Sequence, residues 1–510
     1  MSLIERHFRK TEKLIRLISK DLIADWLLNE GYYPEQYVVP PSFKVTNFKL
    51  QSSEYIKDLS EPPRRDLTNI SYPKSLLTSR IFGIQHPHNY HDIVFWLMSD
   101  WENIVNHLFH KDLKVYSYSF PIPVNDRNKG ELSSLRSGRM IYEWIAMAEK
   151  DLVAEAHKYN LIVRSDITNF YNSIYTHSIG WALHGQEKAF KDKTCELVGN
   201  KIDKIVQYAN NGRTNGIPVG SAVSDLIAEI ILSSIDLKIS QKLKHKDFIA
   251  SRFKDDYRIL CNTEIDAKEI LKVLADELTE FNLLINESKT KILELPTGLY
   301  RQHDRAYHPH SIREKEKISF KTFELTLLTA LDINREYPGT SILEKFFGEL
   351  FDNNYNLKIQ FDDKKPSRRK EILKTLSLLV LAKRESEKIL CHILSIIEIL
   401  YLEYNSEFKL KEVIKELVES ELKKANSKKS IFELTWYIFF SRYLSLGINE
   451  KWINTNIDKE LIINPFLKSV CTSKQQIYND SHIDLFSKPR DCKEMVLAKR
   501  LAVFERKKDE

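Results

Sequence analysis

Three aspartates in two separate segments are the residues best suited to chemistry in this chain. Asp166 ends an apolar, strand-like run, whereas Asp255 and Asp256 are adjacent and lie between two short β-prone runs. Phosphoryl transfer by two metals requires carboxylates from separate elements to converge on ions about 3.5 to 4 Å apart. Carboxylate oxygens also suit magnesium. The aspartates therefore indicate a candidate two-metal site, although 89 residues (255 minus 166) separate the two segments.

Each acidic segment also has an ordinary structural interpretation. An aspartate after a strand is often a helix N-cap or a turn residue, and paired aspartates are common in turns. The proposed chemistry therefore depends on elements that bring the two segments together. Two neighbouring strands of one sheet would do so, the first ending in Asp166 and the second turning through Asp255 and Asp256.

The surrounding pattern predicts an α+β domain followed by helices. Strand-like runs, the first of them Lys114 to Ile122, alternate with helical patterns between about 113 and 300, as expected for an α+β domain. Beyond about 310, apolar residues recur at helical spacing without a strict repeat period, which predicts an all-helical domain, either a bundle or HEAT-like. The predicted divisions are 1–110, 111–300 and 301–510.

The N-terminal division combines a helix with a proline-interrupted segment. Residues 3–28 place apolar residues at three and four spacings among basic ones, which predicts an amphipathic helix. Its basic face is either solvated or in contact with nucleic acid. Prolines interrupt residues 29–75, which predicts an arm or a set of surface loops. The tyrosines of this arm are Tyr32, Tyr33, Tyr37, Tyr55 and Tyr72.

Composition narrows the class of protein without identifying it. A length of 510 residues with 14 glycines and 29% charged residues favours a helix-rich globular fold of two or three units. The net charge of +6 permits a polyanionic partner without requiring one. The five cysteines contain no CxxC arrangement, so a reducing cytoplasm fits better than a disulfide framework or a zinc site. The apolar run 389–402 is short for a bilayer, so we expect a buried helix and no membrane partner.

Four motifs in chain order resemble those of reverse transcriptases. The motifs are Asp166 to Tyr171, Asn215 to Ser221 with the helical run 222–235, Phe253 to Asp256, and Leu283 to Thr290. They are similar, respectively, to the strand with the first catalytic aspartate, the Pro-x-Gly turn and helix, the aromatic-x-Asp-Asp signature, and the Leu-x-x-Asn-x-x-Lys-Thr motif. The resemblance covers about 110 to 295. It implies reverse-transcriptase-like fingers and palm in 111–300, preceded by an N-terminal helix and arm that lead into the fingers. It also implies nucleotidyltransferase activity.

Within that family, the closer likeness is to the abortive-infection (Abi) polymerases of bacteria and prophages, the AbiK-like group. The run 169–179 followed by Trp181 carries this likeness, as does a helical domain in place of a thumb and ribonuclease H region. The resemblance implies an antiphage enzyme that makes DNA from dNTPs without a template and uses one of its own tyrosines as primer. It also implies a single-stranded DNA product attached to the protein, and a homo-oligomer such as a trimer or hexamer.

The resemblance assigns roles at the acidic site. Asp166 and Asp255 would coordinate two Mg²⁺ ions, with Mn²⁺ as the alternative metal. Asp256 would complete or orient the cluster, and the Ile167 carbonyl would add a ligand. Tyr171 matches the aromatic gate that would collide with a ribose 2′-hydroxyl, so deoxynucleotides should be preferred. The alternative for this tyrosine is an ordinary core aromatic.

The resemblance also implies further nucleotide contacts, at residues whose motifs are less specific. Lys289 would donate charge or a proton near the leaving pyrophosphate, or else is an ordinary surface lysine. Arg136 and Arg139 lie where the fingers would hold the triphosphate, a task that suits guanidinium groups, or else lie in a solvated turn. Pro218 and Gly220 belong to the Pro-x-Gly turn.

One departure from the family bears on template use. Where many templated enzymes have Pro-Gln-Gly, this chain has Val219 in the middle, whose side chain cannot form hydrogen bonds. This puts template reading in doubt. Two rival functions remain, a templated RNA-directed DNA polymerase of a retroelement and a catalytically silent nucleic-acid-binding protein. Three carboxylates buried near one another without metal would be costly, which argues against the silent protein.

A protein primer needs a tyrosine hydroxyl that can reach the metals. A proline-interrupted arm offers such reach. Tyr55 is the preferred candidate because Ser52, Ser53 and Glu54 give it polar surroundings. The alternative is that the aromatics of the arm pack it onto the palm.

Overall fold

The computed structural model describes residues 1–74, 78–133, 136–493 and 495–501, with side chains except at 136–139, 500 and 501. The strands are β1 Thr68–Pro73, β2 Ser79–Ile84, β3 Val115–Ser117, β4 Leu161–Asp166, β5 Phe248–Phe253, β6 Asp256–Cys261, β7 Lys291–Glu294, β8 Ile318–Ser319 and β9 Ile359–Gln360. The helices are α1 Leu3–Ile15, α2 Lys20–Leu28, α3 Pro87–Ser99, α4 Trp101–Leu108, α5 Arg136–Ile145, α6 Leu152–Glu155, α7 Phe170–Ser173, α8 Ser178–His184, α9 Gln186–Lys191, α10 Val198–Tyr208, α11 Ala222–Lys242, α12 Glu264–Glu280, α13 Gln302–Tyr307, α14 Phe320–Glu336, α15 Ile342–Glu349, α16 Lys365–Glu385, α17 Leu390–Phe408, α18 Leu410–Ser427, α19 Ile431–Tyr443, α20 Glu450–Asn456, α21 Lys459–Ile462, α22 Pro465–Thr472 and α23 Val496–Leu501.

A five-stranded sheet lies in the middle of the chain. Its strand order is β3-β5-β6-β4-β7, in which β3 is parallel to β5 and the other neighbouring pairs are antiparallel. The helices α11 and α12 pack against it. The predicted α+β domain is therefore confirmed. The predicted strand over 114–122 is wrong in extent, because only three of its residues pair with β5.

Alternation of side chains gives this sheet two different faces. On one face, the Tyr257 hydroxyl and the Arg252 Nε donate to Asp236 of α11 at 2.9 and 2.8 Å. The paired residues Arg252 and Tyr257 share this face, and Asp256 is adjacent to Tyr257 along β6. Asp166 is paired directly with Asp256. The aspartates therefore lie on the face away from α11.

The N-terminal division is packed rather than extended as an arm. The single helix predicted over 3–28 is two helices, α1 and α2, because Ser19 caps a new helix through a bond from the Leu22 N–H. Beyond α2, Tyr32 is 1% exposed and its hydroxyl donates to the Gln85 carbonyl at 2.6 Å. The prediction of a freely reaching arm is therefore wrong for Tyr32 and Tyr33, which are buried in the core as the alternative of packed aromatics expects.

C-terminal residues cover this N-terminal segment. The Tyr33 hydroxyl donates to the Leu485 carbonyl at 2.8 Å. The Ser487 N–H donates to the Ser42 carbonyl, also at 2.8 Å. Such contacts between sequence-distant segments provide hydrogen-bond partners for irregular backbone that has no helix or strand partner of its own.

The region beyond 310 is helical, as predicted. In the described residues the exceptions include a short parallel pair of strands, β8 with β9. The helix Glu387–Phe408 is apolar and long enough to cross a membrane by length and composition, but 67% of its most apolar window is buried inside the protein. Helices in the core of globular proteins have the same character. None of the five cysteines, all of which lie in the described residues, forms a disulfide.

Candidate active site

Two neighbouring strands bring the predicted carboxylates together. Asp166, the last residue of β4, pairs directly with Asp256, the first residue of β6. Residues opposed in this way have Cα atoms about 4.5 to 5.5 Å apart. Asp255 lies in the turn before β6, and its carbonyl accepts the Ile167 N–H at 3.1 Å. The backbone therefore holds all three aspartates at one end of the sheet.

Burial and mutual repulsion act on these carboxyl groups. Burial raises the pKa of Asp255, and the nearby charge of Asp166 raises it further. Burial also raises the pKa of Asp256, an effect opposed by neighbouring arginines, of which Arg258 acts most strongly. A cation placed among these groups would stabilise their ionised forms and lower both pKa values.

The donors fit a divalent cation in type and charge. Carboxylate oxygens are the ligands that magnesium prefers. Within the described residues, however, no three His, Cys, Asp or Glu side chains already surround a common metal position. The Lys289 ammonium lies 2.9 Å from an Asp166 oxygen instead. A bound cation and Lys289 would therefore compete for this carboxylate.

The segment that carries Lys289 is bonded to the end of β4. The Thr168 N–H donates to the Leu284 carbonyl at 2.8 Å, and the Asn286 N–H donates to the Asp166 carbonyl at 2.6 Å. These bonds place a lysine that is 123 residues further along the chain beside the first aspartate. Its side chain is 59% exposed, so this ion pair is open to solvent on the lysine side.

Tyr171 is connected to two of the other motifs. Its hydroxyl donates to the buried Asp225 of α11, and its carbonyl accepts the Ile217 N–H at 2.9 Å. The second Asp225 oxygen lies 3.2 Å from the ammonium of Lys254, in the turn that also contains Asp255. This network holds the tyrosine ring in a defined orientation, as a steric gate requires.

The Pro-Val-Gly turn is enclosed by the N-terminal division. Gly220 has φ +124°, and a Cβ added there would lie 2.7 Å from Phe82 and 2.9 Å from Pro34, so a side chain at this position would clash. The Val219 carbonyl accepts the Gly83 N–H at 3.1 Å, which attaches the turn to β2. Pro218 is buried. Ser221 then caps α11 by accepting the Ser224 N–H.

Comparison with known families identifies this part of the chain. Residues 103–325 match the family model described as "Reverse transcriptase (RNA-dependent DNA polymerase)". The chain contains a reverse-transcriptase domain. It is therefore a nucleotidyltransferase of the reverse-transcriptase type, and the match covers the sheet, the three aspartates and α11.

The comparison with solved structures found telomerases at low similarity. Apo telomerase from Candida tropicalis is 11% identical over 70% of this chain and 70% of that chain, with a TM-score of 0.32. Telomerase from Candida albicans with a fragment of telomeric RNA is 12% identical over 71% of this chain and 65% of that chain, with a TM-score of 0.31. No curated protein matched the sequence.

Arg136 and Arg139 of the reverse-transcriptase domain lie in α5. Their backbone is helical, so the alternative of a solvated turn is wrong. Their side chains lie outside the described residues. Contact of these arginines with a triphosphate stays a prediction.

Tyr55 is the most exposed of the five candidate priming tyrosines. Its side chain is 38% exposed and stacks on His88 with ring centroids 4.1 Å apart. Its N–H donates to Asp92 of α3 at 2.8 Å. Tyr32 and Tyr33 are buried. The assignment of Tyr55 as primer stays a prediction.

Sequence reasoning missed several charged residues in the reverse-transcriptase domain. Asp225 was not singled out, although it lies one helical turn after the Ser221 cap on α11. Arg164 and Arg258 were also overlooked. They stand two residues from Asp166 and Asp256, so period-two alternation places them on the same face as the catalytic pair.

Proposed function

We propose that this chain is an antiphage abortive-infection DNA polymerase that joins dNTPs without a template and starts from a tyrosine of the protein. The observation that carries the proposal is the direct pairing of Asp166 with Asp256 beside Asp255, in a reverse-transcriptase domain whose Pro-x-Gly turn has no polar middle residue. The antiphage assignment is supported by the resemblance of the run 169–179 to the abortive-infection group.

The chain's own residues have defined tasks in this reaction. Asp166 and Asp255 bind the metals, and Asp256 orients the cluster. Two Mg²⁺ ions, or Mn²⁺ in their place, supply activation of the attacking hydroxyl and compensation of phosphate charge when bound. Lys289 holds a proton on its Nζ beside Asp166, where it can be given to the leaving pyrophosphate. The Tyr171 ring excludes a 2′-hydroxyl.

Packing around the Pro-Val-Gly turn supports synthesis without a template. In the family, this turn lies near the templating base. Here it is bonded to Gly83 and packed against Phe82 and Pro34. An apolar Val219 also offers a templating base no hydrogen bond. These contacts therefore give little support for selection of the incoming nucleotide by pairing with a template base at this turn.

The product and assembly follow from the same proposal. The product is single-stranded DNA attached to a tyrosine, with Tyr55 as the leading candidate because its side chain is the most accessible of the five. The active assembly is a homo-oligomer, a trimer or hexamer, and it acts in the cytoplasm. Five cysteines without a disulfide are consistent with that reducing compartment.

The test is incorporation without added nucleic acid. Nuclease-treated, repurified protein is incubated with Mg²⁺ and each labelled dNTP, and the protein band is examined under denaturing conditions. An Asp255→Asn variant prepared in the same way is the control. We expect label on the wild-type protein band. Nuclease treatment should remove this label except at the point where the DNA is attached to the protein.

A parallel reaction with an RNA template and annealed DNA primer tests the second candidate. The family model's description, RNA-dependent DNA polymerase, favours this templated function. Extension of the primer together with an unlabelled protein band would overturn the proposal in favour of a templated retroelement enzyme. Failure of both reactions would overturn both functions.

A further inference from the structure

A cluster of arginines lies on the catalytic face of the sheet. We propose that Arg258, with Arg164 and Arg301, binds a backbone phosphate of the nascent DNA strand next to the catalytic aspartates, and that Trp144 covers this site in the free protein. The inference rests on the proposed function, because it requires a DNA strand that ends at Asp166 and Asp256.

Strand register places two of the arginines beside the catalytic pair. Arg164 and Arg258 are paired directly across β4 and β6, two residues from the Asp166–Asp256 pair. Side chains two residues apart share a face and are separated by about 7 Å along the strand. The arginine pair is therefore the next row of side chains on the same face.

Arg258 is buried without full hydrogen bonding. Its side chain is 1% exposed, and its Nε and Nη2 atoms have no hydrogen-bond partner among the described residues. The nearest acid is Asp256, with 3.8 Å between Nη2 and Oδ2. A buried guanidinium with unsatisfied donors is costly, and a phosphate supplies the paired oxygens that such a group prefers.

Arg252 provides an internal comparison on the other face of the same hairpin. It is also 1% exposed, but it bonds Glu229 at 2.9 and 3.1 Å and Asp236 at 2.8 Å. Two carboxylates of α11 therefore pair the buried guanidinium of Arg252. Arg258 lacks such partners, which points to a ligand.

Trp144 of α5 lies over the arginines. The Arg258 and Arg301 guanidinium carbons are 4.7 and 4.2 Å from its ring centroid. The ring also packs edge-on against Phe253 at 5.2 Å. Cation–π contact lowers the cost of burying the guanidinium groups. Trp144 therefore serves as a neutral cover that a strand must displace.

The position of the cluster favours a strand phosphate over the incoming triphosphate. Two residues predicted to contact the nucleotide lie near the C-terminal end of β4. Tyr171 follows this strand along the chain, and the Lys289 ammonium lies beside Asp166, its last residue. Arg164 precedes Asp166 on β4, so it lies on the opposite side of the aspartates. A strand whose 3′ end is at the aspartates and which runs back across the sheet meets Arg164 and Arg258 first. Asp304 and Glu149 also act on Arg301, so this residue is the most compensated of the three.

The test measures strand binding without catalysis. A 5′-fluorescein oligothymidine of about 12 nucleotides is titrated in EDTA with wild type, Arg258→Met, Trp144→Ala and Arg335→Met. Arg335 is a matched control, since it is an exposed arginine paired with Glu385 in the helical region. We expect Arg258→Met to weaken binding about tenfold or more, with a salt dependence shallower by about 0.7. Trp144→Ala should bind more tightly, and the control should match wild type.

The melting temperature distinguishes a ligand-binding role of Arg258 from a structural role. Methionine in place of an incompletely paired buried arginine should leave the melting temperature unchanged or raise it. Unchanged binding by Arg258→Met, or equal weakening by Trp144→Ala, would overturn the proposal. So would a raised KM for dNTP with normal strand binding, which would assign the cluster to the triphosphate. Because binding is read in EDTA, loss of the proposed protein labelling alone would reject the function and not this site.

Discussion

At the residue scale, the three candidate catalytic aspartates lie close together at one end of the sheet. The raised pKa values of Asp255 and Asp256 mean that the free protein keeps charge on these two groups at a cost. We expect Asp255→Asn and Asp256→Asn to lower incorporation about a thousandfold. Their melting temperatures should equal or exceed that of wild type, because a carboxylate whose ionised form is disfavoured by burial is removed. Scanning calorimetry beside the incorporation assay checks both effects, and near-normal incorporation by both variants would reject the two-metal mechanism.

Tyr171 is the residue whose replacement should change the sugar preference. Tyr171→Ala removes the ring, so incorporation of rNTP relative to dNTP should rise about tenfold or more. Tyr171→Phe is the control, because it keeps the ring and loses only the bond to Asp225. Competition between labelled rNTP and dNTP measures the ratio. The same ratio in both variants would mean that Tyr171 is a core aromatic and not a gate.

At the scale of single elements, α3 begins at a histidine that must stay neutral. The His86 Nδ1 accepts the His88 N–H at 3.2 Å, while its Nε2 lies 3.2 Å from Asp480. Burial and the charge of Arg65 lower its pKa to about 4 from 6.5. As the pH falls, the imidazole of His86 is therefore protonated in the unfolded chain before it is protonated in the folded protein. The free energy of unfolding consequently decreases as the pH falls from 6.5 towards 4.

The contribution of His86 can be isolated with a cap that does not titrate. Asparagine also caps helices well. Between pH 7 and pH 5 the wild-type free energy of unfolding should fall by up to about 2 kcal/mol more than that of His86→Asn. Urea denaturation at pH 7, 6 and 5 measures this difference. Parallel pH profiles for the two proteins would mean that His86 is protonated as readily in the folded state as in the unfolded chain.

At the scale of the whole molecule, one tyrosine near the C-terminus connects the two ends of the chain. The Tyr478 hydroxyl accepts the Thr68 N–H at 3.0 Å and lies 2.8 Å from the carbonyls of Asp66 and Ile84. Tyr478→Phe leaves these backbone groups without that partner. We expect a loss of about 1 to 3 kcal/mol of stability, which a lower urea midpoint would reveal.

The matched control for this contact is Tyr355→Phe. Among the described residues, no hydrogen bond of the Tyr355 hydroxyl is recorded, and the residue lies in a loop between α15 and α16. It should unfold at the wild-type midpoint. Equal midpoints for both variants would contradict a stabilising role for the contact between the ends.

The catalytic proposal was accessible from sequence because its signals are local. A strand that ends in Asp166, a turn through Asp255 and Asp256, and a glycine at the Pro-x-Gly turn each depend on a few adjacent residues. The need for the carboxylates to converge on metal ions also predicted that the two acidic segments lie on neighbouring strands of one sheet, which the pairing of β4 with β6 confirms. The helical C-terminal region followed from periodicity in the same way.

Only the tertiary structure decided which of these residues have partners. Proline spacing suggested a free arm, but the core and the C-terminal segment bury Tyr32 and Tyr33. Two arginines on one hairpin look alike in sequence, yet Arg252 is paired with acids from α11 and Arg258 is not. Such differences depend on side chains distant in sequence, and local propensity does not determine where those meet.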